Sequence, residues 1–180
     1  MLKRLLLLSL LLVVPFTSGC RFSEDARAAD ALKVPIGYQV GQRAPAFDLL
    51  SVGEGRSIKS EDLQGKPVIV SFFCGCNFCS IVAKEWLKNK GSLGDLPMVA
   101  VASNHWSYAP SAVRTFRSNT GWTWPVLADM DSRTASDYKA LTCPRVFVLD
   151  ARGIIRYASV EGASDEKQIV AAALAAAKAP

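Results

Sequence analysis

The chain has 180 residues, 50% of them hydrophobic and 21% charged, with a formal net charge of +5. That is room for one domain of ordinary size, or one domain with an appended segment, and it excludes disordered and collagen-like chains. No second apolar stretch approaches the roughly 18 residues a membrane span needs, no repeat of roughly 20–50 residues recurs, and no Lys/Arg cluster marks a nucleic-acid partner.

Met1-Leu2-Lys3-Arg4 is a short basic head, Leu5 to Val14 an apolar run broken only by Ser9, and Pro15-Phe16-Thr17-Ser18-Gly19-Cys20 a small-residue close. This three-part layout reads as a secretory signal over residues 1–19, too short for a comfortable span. Cys20 directly after Ser18-Gly19 resembles the lipobox of bacterial lipoproteins, with Thr17 where that pattern usually has Leu. The resemblance implies that Cys20 is lipidated and that the chain is anchored to a membrane of the bacterial cell envelope, facing the periplasm or the outer surface. Residues 20–40, polar and alanine-rich, read as a tether. The remaining 41–180 read as the folded domain.

Within it, Phe47–Leu50 and Ser57–Lys59 suggest a hairpin around Gly53-Glu54-Gly55. Val68–Phe73 is a continuous apolar run, as expected of a central strand covered on both faces. The pattern then predicts a helix from Asn77 to Lys90, with Ile81, Val82 and Trp86 inward and Gly91 as its stop. Met98–Ala102 reads as a strand, and 111–120 as a helix capped by Ser111 and stopped by Gly121. Asp131–Leu141 reads as a helix, Val146–Leu149 as a strand and Arg152-Gly153 as a turn. Ile154–Tyr157 is expected to return antiparallel, and Asp165–Lys178 to form a last, alanine-rich helix. Strands separated by helices imply parallel βαβ units in an α/β domain, with one antiparallel hairpin near the end.

Chemistry concentrates in Cys74-Gly75-Cys76-Asn77-Phe78-Cys79, where a buried strand runs into a helix. The first N–H groups of a helix are unpaired and its dipole presents positive charge there, so a thiolate is favoured over a thiol. Cys76 is therefore expected to be the nucleophile, and Cys79, three residues on, the thiol that closes a disulfide with it. In an exported chain the same spacing also suits half of a structural disulfide or a metal site.

Val40-Gly41-Gln42-Arg43-Ala44-Pro45-Ala46-Phe47-Asp48-Leu49 resembles the entry segment of the thioredoxin-fold redoxins, the TlpA/ResA and AhpC/TSA group. Ser60–Val70 is similar to that family's approach to its central strand, and Cys76-x-x-Cys79 falls where its active dithiol falls. Thr142-Cys143-Pro144, followed by Val146–Asp150 and Gly153, resembles its cis-proline loop and closing hairpin. The similarity covers roughly 40–178 and implies a thioredoxin-like α/β fold: a central mixed sheet flanked by helices, with an N-terminal β-hairpin extension and a central insertion. It implies a thiol–disulfide oxidoreductase with a redox-active disulfide and no other cofactor. Its expected partners are protein thiols and disulfides and a membrane or periplasmic electron donor. Pro144 and Arg145 would then lie in the substrate groove, across from the dithiol.

This chain departs from the family pattern where Cys74 and Gly75 replace the usual aromatic before the first active Cys. Val82 and Lys84 likewise stand at its acidic and proline positions. Cys74 and Cys143 would join the dithiol in one small region, as buried bystanders, as a thiol relay, or with Cys76 and Cys79 as a metal site. The metal reading resembles the copper-binding Sco group, whose dithiol spacing and distal His differ from this chain's. A thiol peroxidase is a further reading, lacking the Thr that the peroxiredoxin branch carries where Cys76 stands. His105 is the chain's one histidine and reads as a solvated loop residue. Trp106, Tyr108, Trp122 and Trp124 suit either a peptide groove or core and rim packing.

Overall fold

The computed structural model describes residues 33–93, 96–103, 109–162 and 165–178. The signal-like segment, Cys20, His105, Trp106 and Tyr108 lie outside the described residues.

Among the described residues seven strands form one sheet: β1 Asp48–Ser51, β2 Ser57–Lys59, β3 Val68–Phe73, β4 Met98–Ala102, β5 Val126–Ala128, β6 Arg145–Leu149 and β7 Ile155–Ala158. Their order is β2-β1-β5-β4-β3-β6-β7. β3 runs parallel to β4, with Val70 opposite Val99, and antiparallel to β6, with Val70 opposite Phe147. β5 is parallel to β4, while β1 pairs antiparallel with β2 and β5, and β7 antiparallel with β6. The sheet is thus mixed, as expected, and β1–β2 is the N-terminal hairpin.

Side chains on a strand alternate between faces, and both faces here are covered. From β3, Ile69 and Phe73 enter one core with Trp86, Val113, Trp122 and Ile169; Val68, Val70 and Phe72 enter the other with Tyr138, Phe147 and Leu127. That is why all six residues of β3 are apolar or small and buried. Ser71, its one polar member, satisfies its hydroxyl on the Val99 carbonyl at 3.0 Å. The helices are α1 Asn77–Lys88, α2 Lys90–Leu93, α3 Pro110–Thr120, α4 Arg133–Asp137 and α5 Glu166–Lys178. Between β4 and β6 the chain inserts α3, β5 and α4, and this is the central insertion.

Several sequence expectations are corrected. α1 stops at Lys88 with Asn89 as its C-cap, and Gly91 lies inside the short α2 rather than stopping α1. Ile81, expected inward, is 57% exposed. Ala109 rather than Ser111 caps α3, because Pro110 takes the first turn, where its missing N–H costs nothing. Gly121 ends α3 in the left-handed conformation, as read. The helix expected over Asp131–Leu141 shrinks to Arg133–Asp137, with Ser132 and Lys139 both at positive φ on either side of it. The buried Asp129 carboxylate holds it in place, accepting from the Thr134 and Ala135 N–H groups at 3.1 and 2.8 Å. β5, three residues long after Trp124-Pro125, is absent from the sequence reading.

Residues 35–40, read as tether, are joined to the domain. Gly37 N–H donates to the Arg43 carbonyl, and Arg43 N–H to the Pro35 carbonyl, both at 2.9 Å.

Candidate functional site

β3 delivers the site. Its last residue, Phe73, is buried, and the chain turns at once through Cys74 and Gly75 into α1. Gly75 has φ of 76°, a left-handed conformation that side chains disfavour, so glycine is what lets the turn be this short. Cys76 is the N-cap of α1 with an extended backbone, and its Sγ accepts from the Cys79 N–H at 3.4 Å. A thiol thus takes the place that Ser or Asp usually holds at a helix start.

The two sulfurs of the pair lie 3.4 Å apart and occupy opposite environments, Cys76 exposed and Cys79 buried. Partial burial raises the Cys76 thiol, but the Cys79 N–H, the Cys79 thiol and the Phe78 N–H outweigh it, and its pKa is lowered below the ordinary value. Burial pushes Cys79 up to about 12, helped by its hydrogen bond with Cys76 and by the charge on that sulfur. One proton between two sulfurs therefore leaves Cys76 as the anion and Cys79 as the thiol.

Across from them, the bond between Cys143 and Pro144 is cis, and Cys143 is joined to Cys74 by a disulfide. Cys74 Sγ is also 3.8 Å from Cys79 Sγ. All four sulfurs fall within 4.8 Å of one another. Four thiolates at such spacing suit a soft metal, but a disulfide offers no thiolate. As found, the cluster is one disulfide beside one dithiol. The sequence brought these four cysteines to one region, yet the 74–143 pairing, 69 residues apart in the chain, was not legible in it.

Pro144, joined to Cys143 by the cis bond, is buried. Arg145 is tied to Glu161 at 3.3 Å, with its guanidinium over the rings of Tyr38 and Phe147 at 6.0 and 5.3 Å. Its contacts anchor the start of β6. Trp122 is buried among Phe73, Trp86, Phe116 and Trp124, at centroid distances of 5.0–6.3 Å. It packs the core under the site; Trp124 is half-buried at the rim.

Two surface features beside Cys76 escaped the sequence reading. Phe78 and Ile81 are exposed, and their spacing of three puts them on one face of α1. Leu141, two residues before Cys143, is 68% exposed. A cavity of about 570 Å³ also opens beside Cys74, lined by Phe73, Cys74, Asn77, Ala102, Ala112 and Phe116.

The model of the AhpC/TSA family matches residues 40–158. Thioredoxin-like protein YneN from Bacillus subtilis is 32% identical over 127 residues, covering 69% of this chain and 73% of its own. Thiol:disulfide interchange protein DsbE from Pseudomonas aeruginosa is 27% identical over 130 residues, or 71% of this chain and 69% of its own. Among solved structures, a secreted Mycobacterium tuberculosis disulfide oxidoreductase superposes with a TM-score of 0.60 at 20% identity, covering 72% of this chain and 95% of that one.

Proposed function

The chain belongs to the AhpC/TSA family, and from that premise we propose that it is a thiol–disulfide oxidoreductase acting on protein disulfides, exported and tethered to a membrane. The observation that carries the reading is the pairing of an exposed Cys76 at a helix N-terminus with a buried Cys79 at 3.4 Å. Exposure and a lowered pKa make Cys76 the sulfur a substrate meets first; burial and a raised pKa keep Cys79 in reserve.

The Cys76 thiolate attacks one sulfur of a substrate disulfide, and the other substrate sulfur leaves as a thiolate and takes a proton. The resulting mixed disulfide removes the negative charge from Cys76, and with it one of the influences holding Cys79 protonated. Cys79 then attacks Cys76 Sγ, a Cys76–Cys79 disulfide forms, the bond between Cys76 and the substrate breaks, and the proton from Cys79 passes to the second substrate sulfur as it departs. Two electrons have passed to the substrate. A donor dithiol running the same exchange in reverse restores the pair. The electrons reside in sulfur throughout, so this cycle calls on no bound cofactor.

Exposed Phe78, Ile81 and Leu141 give apolar footing for polypeptide flanking the attacked disulfide. Phe78 is two residues from Cys76 and Leu141 two residues from Cys143, so a bound segment runs between α1 and the cis-proline loop. Names of relatives such as the thiol:disulfide interchange protein support the same substrate class. Export and tethering rest on the signal-like segment over residues 1–19 and the Cys20 directly after it, and the electron donor is then expected in the membrane or the periplasm.

Insulin is the direct assay. With dithiothreitol as donor the protein is expected to accelerate reduction of insulin disulfides, and Cys76→Ala to abolish the acceleration. An unchanged rate in that variant removes Cys76 from the nucleophile's role.

A further inference from the structure

We infer that the Cys74–Cys143 disulfide is a second redox pair that exchanges with Cys76 and Cys79, so that one chain carries two electron pairs to its substrates. The inference deepens the oxidoreductase reading and rests on it for the substrate class.

Cys79 Sγ is the hinge of the arrangement. It lies 3.4 Å from Cys76 Sγ and 3.8 Å from Cys74 Sγ, in contact with both the dithiol and the disulfide. The sulfur that resolves a mixed disulfide thus also touches a disulfide that it can open. Cys79 is buried, while Cys74 and Cys143 are half-buried, so Cys76 is the exposed end of the chain of sulfurs. A purely structural bond between the cis-proline loop and the end of β3 has no need of a free thiol in contact with it, and such a thiol invites exchange.

The exchange balances within the protein. Cys79 Sγ attacks Cys74 Sγ; the Cys74–Cys143 bond breaks, and the Cys79 proton passes to the departing Cys143 sulfur. The Cys76 thiolate then attacks Cys79 Sγ in the new Cys74–Cys79 bond, and Cys74 leaves as a thiolate. The products are a Cys76–Cys79 disulfide, a Cys143 thiol and a Cys74 thiolate. One dithiol has been oxidised and one disulfide reduced, with charge and protons conserved. Run in reverse on a fully reduced chain, the same steps recharge Cys76 and Cys79 after they have served a first substrate.

Two experiments test this. Cys76→Ser stops the exchange after its first step. That variant, prepared with Cys74–Cys143 oxidised, is held without external thiol at about pH 9 until its disulfide map stops changing, because buried Cys79 is thiolate only in small part there and exchange through it is slow. It is then acid-quenched, alkylated and mapped by mass. A Cys74–Cys79 disulfide with Cys143 free is expected; a map containing Cys74–Cys143 alone overturns the relay, whatever the substrate. In the second, fully reduced wild-type protein is freed of reductant and mixed with excess insulin. Two insulin disulfides reduced per chain are expected, against one for the Cys74→Ala/Cys143→Ala variant. One per chain from wild type, with Cys74 and Cys143 left as thiols, overturns the relay while leaving Cys76 and Cys79 as the active pair. Loss of all insulin reduction refutes the oxidoreductase reading, and the mapping experiment still decides the exchange.

Discussion

Opening the Cys74–Cys143 bond while leaving every sulfur in place isolates what that bond does for the fold. The bond closes a loop of 69 residues. Constraining a loop of that length removes denatured-chain entropy worth about 4.4 kcal/mol at 25 °C, and residual structure in the denatured chain brings measured values to about 2–4 kcal/mol. A loss of about 3 kcal/mol in a domain of this size lowers Tm by about 6–12 °C. The assay is urea and thermal unfolding of the protein, followed by circular dichroism, with and without dithiothreitol. Reductant is expected to lower wild-type stability by that amount and to leave Cys74→Ala/Cys143→Ala, prepared as the dithiol, unmoved, since its Cys76 and Cys79 are already thiols as they are in the structure. The reasoning fails if reductant leaves the wild-type Tm unchanged, or if it shifts the double variant equally.

Three further outcomes follow from side chains in the site, under it, and at the far end of β6. Iodoacetamide is expected to alkylate Cys76 with a midpoint below an ordinary thiol's and to leave Cys79 silent until about pH 12; equal midpoints by mass mapping would contradict the assignment. Because the folded pKa of Cys76 is the lower one, the thiolate adds stability to the dithiol form above the unfolded value, and this is lost as pH falls through the folded value. Asp150 is held below the usual carboxylate range: burial raises it, but the Ile154 and Arg152 N–H groups and the Arg156 guanidinium at 2.7 Å outweigh that. Its stabilisation is present above the unfolded carboxylate pKa and lost as acid titrates the folded one, and Asp150→Asn should cost about 1.5–3 kcal/mol at neutral pH with a shallower acid transition. Trp122→Ala, which empties the centre of the aromatic cluster under Phe73, should cost about 3–5 kcal/mol by urea unfolding.

The site's scaffold was legible because it rests on local signals. Val68–Phe73 is apolar but for Ser71 because both faces of β3 are covered, and two cysteines at a spacing of three between such a strand and an apolar helical pattern fall at the start of the next helix. Gly121 announced its own left-handed cap. What escaped depends on partners distant in the chain. β5 is a strand through its pairing with β4 and β1, and three residues carry no period of their own. The α4 region reads as a longer helix until the positive φ values of Ser132 and Lys139 are seen to break it. Ile81 fits an apolar helical stripe, yet among the described residues no element covers it. The Cys74–Cys143 bond joins residues brought together only when β3 and β6 pair, with Phe72 opposite Arg145.

The central claim is that Cys76 is the sulfur that attacks substrate. Cys79→Ala removes the resolving thiol while leaving the Cys79 N–H that Cys76 accepts from, so a first attack should proceed and then stall. Incubated with insulin, quenched in acid and mapped by mass, that variant is expected to accumulate a mixed disulfide between insulin and Cys76. A mixed disulfide through Cys74 or Cys143, or none at all, would contradict the account.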